Sequence, residues 1–255
     1  MLYQAELRSR PLKRGQISGF TFVCKPSFFF VPPLTGIHAV SVSDRRNSHL
    51  PLPPSFYEAG ADVVASALLG HYLLRRTDAG VCGGMIVETE AYLADDPACH
   101  AFGGETSRNR AMFGLPGRAY VYLIYGMHHC VNAVCRPRGV GEAVLIRALA
   151  PVFGLEQMQA RRPVLQSREL TNGPAKLCAA LQIDRELDAV NICDARSLLF
   201  IAKNASRSAA LRRWGPIAAT PRIGITKAAH LPLRYLLAGS ECVSRKAILR
   251  EPFGS

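Results

Sequence analysis

The sequence lacks the patterns that mark zinc-binding, disulfide-stabilised and membrane-spanning proteins. None of its eight cysteines forms a CxxC pair, so we expect free thiols in a reducing compartment and no structural zinc site. No apolar run reaches the roughly 18 residues of a membrane span. The longest candidate, residues 20–31, is interrupted by Lys25, Pro26 and Ser27. We therefore expect a globular protein that needs no metal or cofactor for its fold and has no membrane partner.

Acidic residues are also scarce. The 255-residue chain has 19 Asp and Glu against 31 Lys and Arg, which gives a net charge of +12 and a pI near 9.7. Such an excess favours polyanionic partners, nucleic acid above all, because binding releases counterions. Charge alone equally allows a basic protein without such a partner. The length and an apolar fraction of 49% suit one sizeable core, and one domain is the expectation.

The most informative stretch is residues 86–132, where two strand-like runs, IVETEAYL and AYVYLIYG, bracket a polar loop rich in Gly and Arg. A two-residue period places Glu88, Glu90 and Tyr92 on one face of the first run. Tyr120 and Tyr122 share a face of the second. Because unpaired carboxylates are too costly inside a core, these faces predict the wall of a cleft. A carboxylate beside several rings suits a protein that stacks a nucleobase and performs acid–base chemistry on it.

The rest of the chain predicts short strands, hairpins and scattered helices. Ser55 is the expected N-cap of a first helix over residues 56–69, and Pro174 is the expected first residue of a helix that ends near Leu181. Further predicted elements are a hairpin over 71–76 and 81–93, a helical turn at 109–113, a second hairpin that turns at Gly126, strands at 142–148, 197–202, 222–226 and 233–237, and a helix at 155–161. This mixture predicts a single α+β domain.

An ordered set of motifs spans roughly residues 52–246. They are VETEAY at 87–92, H-x-x-G-G at 100–104, RNRAMFG at 108–114, PGRAYVYLIYGM at 116–127, VLIRAL at 144–149, LTNGPAKLCAAL at 170–181 and RIGI at 222–225. In this order they resemble the alkyladenine (3-methyladenine) DNA glycosylases of the mammalian type, a family also present in bacteria. The resemblance implies a curved, largely antiparallel β-sheet with a protruding β-hairpin and surrounding helices.

The resemblance also implies an activity. The expected enzyme is a monofunctional DNA glycosylase that flips alkylated or deaminated purines, of the 3-methyladenine, hypoxanthine and ethenoadenine type, out of duplex DNA and starts base excision repair. Spacing alone does not choose between Glu88 and Glu90 as the base that activates water, and the motif match selects Glu90. Arg147 is expected to brace Glu90 or to hold a water. No lysine falls in the motifs around Glu90 and Tyr122, which favours a water nucleophile over an amine.

Four residues are expected to bind the flipped base. The resemblance assigns Tyr92, His100 and Tyr122 to the sandwich around it, and Asn132 to the exclusion of the amino group of normal guanine. The loop LADDPACH at 93–100 lacks the Gly-Pro often found after the tyrosine in relatives, which leaves the exact placement of His100 open.

Four more residues are expected to contact the duplex. Tyr125, at the tip of the second hairpin, is similar to the family's intercalating residue, which fills the gap left by an extruded nucleotide. Met127 is expected to press on the duplex beside it, and Arg108 and Arg110 to grip phosphates. The expected partner is double-stranded DNA that carries damaged purines, bound by a monomer, because one domain on a duplex needs no symmetry partner.

Two other functions remain open on the sequence alone. Glu88, Glu90, Asp95 and Asp96 could bind Mg²⁺ in a nuclease, or the tyrosines could only stack bases in a non-catalytic binding module. The expected domains are an N-terminal extension over 1–50, a glycosylase domain over 51–250 and a tail over 251–255. The basic extension could be a transit peptide, a DNA-binding arm or the product of an over-long start. The expected location is the cytoplasm or nucleoid in a bacterium, and the nucleus or an organelle in a eukaryote.

Overall fold

The computed structural model describes residues 49–244. The extension expected over residues 1–50 lies outside the described residues except for its last two, and the tail expected over 251–255 lies wholly outside them. Between residues 49 and 244 no helix is long and apolar enough to cross a membrane.

Within residues 49–244, eight strands form one curved sheet in which every pairing is antiparallel. They are β1 (Tyr72–Thr77), β2 (Gly80–Tyr92), β3 (Ala119–Ile124), β4 (His128–Cys135), β5 (Glu142–Phe153), β6 (Leu199–Ala202), β7 (Ile217–Thr220) and β8 (Arg234–Leu237). Six follow the order β3-β4-β5-β2-β1-β6, while β8 joins the sheet on β2 and carries β7 on its far side. The single mixed α+β fold predicted from the sequence is confirmed.

β2 is the central strand, and its two halves have different neighbours. β5 pairs with one edge along nearly its whole length, whereas the other edge pairs first with β1 and then, from Glu88 to Glu90, with β8. The register with β5 shifts on both sides of Glu88, and such bulges bend a strand and re-aim its side chains. As a result Glu88 and Glu90 lie in the middle of the sheet with a strand on each side.

In the described part of the chain, four α-helices pack around the sheet: α1 (Ala61–Leu68), α2 (Leu155–Arg161), α3 (Pro174–Leu181) and α4 (Arg207–Trp214). The bounds predicted for α2 and α3 are confirmed, and Pro174 is the first residue of α3. The first helix ends where it was predicted to end, but the prediction of its start was wrong. Residues Pro54–Tyr57 form a separate 3₁₀ turn, and Gly60, not Ser55, is the N-cap of α1. The amide of Ala61 donates instead to the Glu142 carboxylate at 2.9 Å, a cap that lies 81 residues away and leaves no local signal.

The strand predicted over residues 222–226 is also wrong, because this segment is a loop between β7 and β8. Its alternating apolar side chains resemble a strand, but the amide of Ile223 donates to the Glu90 side chain at 2.8 Å and not to a neighbouring strand. The sequence also gave no prediction of α4 or β7. The two predicted hairpins, β1–β2 and β3–β4, are both confirmed.

Candidate active site

One row of side chains runs across five strands. Successive Cα partners in the order β3, β4, β5, β2, β8 are Tyr120, Asn132, Leu145, Glu90 and Arg234. Residues directly opposite each other in a sheet place their side chains on the same face. The register of the sheet therefore brings together residues that lie up to 144 positions apart in the sequence.

A cavity of about 350 Å³ opens over this row, within the roughly 300–1,000 Å³ typical of small-molecule sites. Its lining is mostly aromatic and aliphatic, with Arg147 as its cationic member. The lining residues are Tyr92, Ala98, His100, Met112, Tyr120, Tyr122, Ile124, Tyr125, Cys130, Asn132, Leu145, Arg147, Pro174 and residues 223–225. The shape and chemistry suit one flat, mostly apolar ring system with a few polar edges.

Glu90 is fully buried directly beside the cavity. Its Oε2 accepts a hydrogen bond from the Tyr92 hydroxyl at 2.9 Å, and its Oε1 accepts one from the Ile223 amide at 2.8 Å. Nη1 of Arg147 lies 3.1 Å from the same Oε1. Burial and the Glu90 carboxylate raise the pKa of the Tyr92 phenol far above its ordinary value, so Tyr92 stays protonated and keeps donating.

Glu88, two residues earlier, is the centre of a second buried ion cluster. Oε1 accepts hydrogen bonds from Nε of Arg147 at 2.9 Å, from Nε of Arg234 at 2.8 Å and from the Ser244 hydroxyl at 2.7 Å. Oε2 accepts one from the Ser244 amide at 2.6 Å. Burial alone would raise the pKa of Glu88, but Arg147 and Arg234 outweigh burial and hold the pKa below its ordinary value. Arg147 thus links Glu88 to Glu90.

Three aromatic rings that contact one another form another part of the cavity wall. Tyr120 and Tyr122 stack with centroids 5.3 Å apart, and His100 meets Tyr122 edge-on at 4.6 Å. Nδ1 of His100 lies 3.0 Å from the Tyr120 hydroxyl. Burial and the nearby Arg108 lower the pKa of His100, and burial raises the pKa of Tyr120 to about 12. Both rings are therefore neutral near pH 7 and can exchange a hydrogen bond.

The tip of the β3–β4 hairpin projects away from the core. Tyr125 and Met127 are 81% and 71% exposed, yet Tyr125 also lines the cavity mouth. Tyr125 has a φ of 53°, followed by 71° at Gly126. A bulky residue in the left-handed region is an outlier, and such strain clusters at functional sites.

The Gly-rich loop before β3 contributes two arginines with different surroundings. The guanidinium of Arg108 lies over the Tyr122 ring at 6.0 Å from its centroid. Arg110 forms an exposed ion pair with Glu105 at 3.4 Å and does not line the cavity.

The family model of methylpurine-DNA glycosylases matches residues 55–241. The chain belongs to this family. Three relatives, each provisionally named a 3-methyladenine DNA glycosylase, are similar over most of their lengths. The Methanoculleus marisnigri protein is 48% identical over 195 residues, which cover 76% of this chain and 99% of the relative. The Koribacter versatilis protein is 44% identical over 203 residues (78% and 95%), and the Rhizobium meliloti protein is 48% identical over 191 residues (75% and 95%).

This methylpurine-DNA glycosylase is therefore a DNA-acting repair hydrolase, and its structure assembles most of the residues predicted from the sequence. Tyr92, His100, Tyr122, Tyr125, Asn132 and Arg147 all line the cavity, and Glu90 lies behind Tyr92. Met127 instead lines a neighbouring surface groove together with His128 and His129.

Sequence reasoning about the glycosylase missed the contributions of Tyr120, Asp96 and the loop over residues 222–225. Tyr120 had a signal, since it shares a strand face with Tyr122. The RIGI motif marked the loop but gave it no role. Asp96 had been considered only as a metal ligand, whereas its carboxylate pairs with the buried guanidinium of Arg222.

Proposed function

We propose that this chain is a monofunctional glycosylase that extrudes alkylated or deaminated purines, of the 3-methyladenine, hypoxanthine and ethenoadenine type, from duplex DNA. It hydrolyses their N-glycosidic bond with a water activated by Glu90. The domain over residues 51–250 acts as a monomer, and the free base and an abasic site are the products. Excision of this kind is the first step of base excision repair.

The unused acceptor position of Glu90 is the observation that carries this proposal. A carboxylate has about four lone-pair positions. Two on Oε1 face the Ile223 amide and Arg147, and one on Oε2 accepts from Tyr92. The remaining position on Oε2 can accept a proton from a water, and the ionised carboxylate can stabilise the positive charge that develops on the sugar. Arg147 keeps Glu90 in place from the cavity wall.

The aromatic walls support recognition of a flipped purine. A base that enters between Tyr92 and the His100–Tyr122 contact would stack on neutral rings, which is how enzymes commonly hold an extruded base. Nδ2 of Asn132 donates to the Tyr120 carbonyl at 2.9 Å, so this hydrogen bond holds the side chain in one orientation. We propose that this rigidity excludes the amino group of normal guanine.

The hairpin tip supports a wedge that holds the duplex open. Tyr125 is exposed, aromatic and mounted on a tight turn at the cavity mouth, so its ring can take the place of the extruded nucleotide. We propose that Met127 packs on the duplex beside it and that Arg108 and Arg110 contact phosphates. Arg110 would exchange its exposed partner Glu105 for a phosphate at little cost, because exposed ion pairs contribute little.

The nuclease alternative gains no support from the geometry of the carboxylates. Glu88 is committed to Arg147 and Arg234, and Asp96 is committed to Arg222. Over residues 49–244 no group of three His, Cys, Asp or Glu side chains is arranged to hold a metal ion. A non-catalytic binding module that only stacks bases would not require a buried carboxylate with an unoccupied acceptor position.

Base release from damaged DNA in the presence of a chelator tests the proposal. The substrates are duplexes with one hypoxanthine or one ethenoadenine, and methylated DNA as a source of 3-methyladenine. Wild type is compared with Glu90→Gln and with the control Glu241→Gln, which alters an exposed ion pair with Arg168. We expect release by wild type and control, and a rate at least about 100-fold lower for Glu90→Gln with duplex binding retained. The product strand should break only after alkali.

Three results would contradict the proposal. Absence of release from every lesion with intact DNA binding would leave a binding module. Strand cleavage that the chelator abolishes would favour the nuclease. Wild-type release by Glu90→Gln would remove Glu90 from the chemistry.

A further inference from the structure

Arg222 occupies an unusual position behind the cavity. It follows β7, and its side chain is fully buried. Nη1 donates to the carbonyl of Ala91 at 2.9 Å and also pairs with the Asp96 carboxylate. The centre of its guanidinium lies 4.7 Å from the centroid of the Tyr92 ring. A guanidinium is therefore stacked on the one ring that also donates to Glu90.

Two of the three guanidinium nitrogens have no ordinary partner. Nε and Nη2 of Arg222 are buried and find no hydrogen-bond acceptor among residues 49–244. A buried donor without an acceptor destabilises a fold and calls for an explanation. Here the electron-rich face of the Tyr92 ring attracts the guanidinium as a cation, which partly offsets the cost of the missing acceptors. A flat guanidinium fits this stacked arrangement better than the compact ammonium of lysine.

The face of the Tyr92 ring that Arg222 covers, its rear face, is not open to the cavity, because the Arg222 side chain is fully buried. Tyr92 lines the cavity, and Arg222 does not. The ring is thus restrained twice: its hydroxyl is bound to Glu90 and its rear face rests on Arg222. The front face of the ring remains free to stack on a ligand, and the orientation of the ring is fixed before the ligand binds.

The same residue also holds the segment that contacts Glu90. Ile223 follows directly, and its amide donates to Oε1 of Glu90 at 2.8 Å while residues 223–225 line the cavity. Asp96, the partner of Arg222, lies in the loop that leads to His100, where its Oδ1 accepts from the Ala98 amide at 2.9 Å. One buried ion pair therefore ties together two loops on different sides of the cavity.

We propose that Arg222 is a positioning residue that fixes both the stacking wall, Tyr92, and the amide that orients Glu90, with Asp96 as its anchor. The proposal rests on the proposed function, since it assigns Arg222 to the same excision reaction. A fixed wall removes the need to order the ring when the base enters, and misplacement of about 1 Å at a reacting centre can cost roughly 100-fold in rate. Arg222 therefore acts on the rate of base release more than on the affinity for DNA.

Two variants separate positioning from a purely structural role. Arg222→Lys keeps the charge beside Asp96 and removes the planar stack. The double variant Arg222→Met with Asp96→Asn removes both charges while it keeps the side-chain volume, so that no buried charge is left unpaired. The matched control is Arg196→Lys, because Arg196 pairs with Asp194 on an exposed loop. The measurements are the single-turnover rate of hypoxanthine and ethenoadenine release, the dissociation constant for the same duplexes, and thermal unfolding.

We expect both variants to bind damaged duplex within about threefold of wild type and to release base about 10- to 100-fold more slowly, with Arg196→Lys unchanged. Wild-type rates in either folded variant would overturn the proposal, as would a loss confined to duplex binding. If the wild type itself releases no base, the proposed function fails. If the wild type releases base and Arg222→Lys does so at the same rate, only the positioning role of Arg222 fails.

Discussion

Replacement of Glu88 by glutamine should lower the free energy of unfolding of this protein more than the substitution of any exposed residue. The carboxylate accepts four hydrogen bonds, from Arg147, Arg234 and both the amide and hydroxyl of Ser244. Glutamine has nearly the same shape, but its NH₂ group would replace one acceptor oxygen with donors. The two guanidinium groups face Oε1 and the Ser244 amide faces Oε2. These groups can only donate, so the glutamine amide cannot be turned to satisfy all of them.

The expected loss of stability follows from the burial of the charges. Glu88 is fully buried, and the side chains of Arg147 and Arg234 are 8% and 4% exposed. Removal of one partner from such a pair leaves an uncompensated buried charge and typically costs about 3–5 kcal/mol. For a domain of about 150–250 residues this lowers the melting temperature by roughly 6–20 °C. The effect is a large share of a total stability of about 5–15 kcal/mol.

The pH dependence gives the prediction a second test. The folded-state pKa of Glu88 lies below its ordinary value. The contribution of the ionised carboxylate to the free energy of unfolding is therefore fully present above the unfolded-state pKa of about 4.3. It is lost as the pH falls through the folded pKa. The stability gap between wild type and Glu88→Gln should therefore be widest near neutral pH and narrow in acid.

Thermal and urea unfolding at pH 7 and below pH 4 would measure both effects, with Glu241→Gln as the exposed control. The control should lose less than about 1 kcal/mol. A Glu88→Gln melting temperature within about 2 °C of wild type at pH 7, or a gap that stays constant in acid, would refute the reasoning from buried charge.

Two further predictions concern the hairpin tip and a buried histidine. Tyr125→Asn should leave stability unchanged or slightly higher, because asparagine adopts a positive φ more readily. It should slow base release and reduce the fluorescence change of a 2-aminopurine placed opposite the lesion, and an unchanged signal would argue against a wedge. The pKa of His71 is lowered to about 4 by burial, Arg207 and Lys203. The native state therefore resists protonation as the pH falls from about 6.5 to about 4, and stability should drop by about 3 kcal/mol. Urea unfolding across this pH range should show a free energy of unfolding that changes less with pH in His71→Gln than in wild type. The same pH dependence in both proteins would contradict the lowered pKa of His71.

The sequence predicted those parts of the site that local patterns encode. Alternation placed Glu88, Glu90 and Tyr92 on one face, and Asn-Gly-Pro located the start of α3. The Gly126 turn joined two strands whose register could be inferred. Each of these signals lies within a few residues of the feature that it specifies.

Contacts between distant segments were beyond such patterns. The pair of Asp96 with Arg222 spans 126 residues, and the amide of Ala61 reaches a carboxylate 81 residues away. Apolar residues alternate over residues 222–226 as they do in a strand, yet the amide of Ile223 donates to the Glu90 side chain. The expectation that the two glutamates face an open cleft was also incomplete. Both are fully buried, because nearby arginines make their burial tolerable.

The surroundings of Glu88 and Glu90 supply the distinction that their spacing could not. Both carboxylates are buried and share Arg147, so neither charge nor depth separates them. Glu88 accepts three hydrogen bonds on Oε1 and one on Oε2, and the donor on Oε2 is the amide of Ser244, which does not line the cavity. Glu90 meets three donors and keeps one position on Oε2, next to a ring that lines the cavity. A carboxylate surrounded by donors away from the cavity holds its neighbours in place, whereas one with a free acceptor position beside the cavity can bind a water there. The position of Glu90 beside cavity residues thus favours it as the reactive group, and the Glu88 cluster holds Arg147 where it supports Glu90 without occupying the last acceptor position on Oε2.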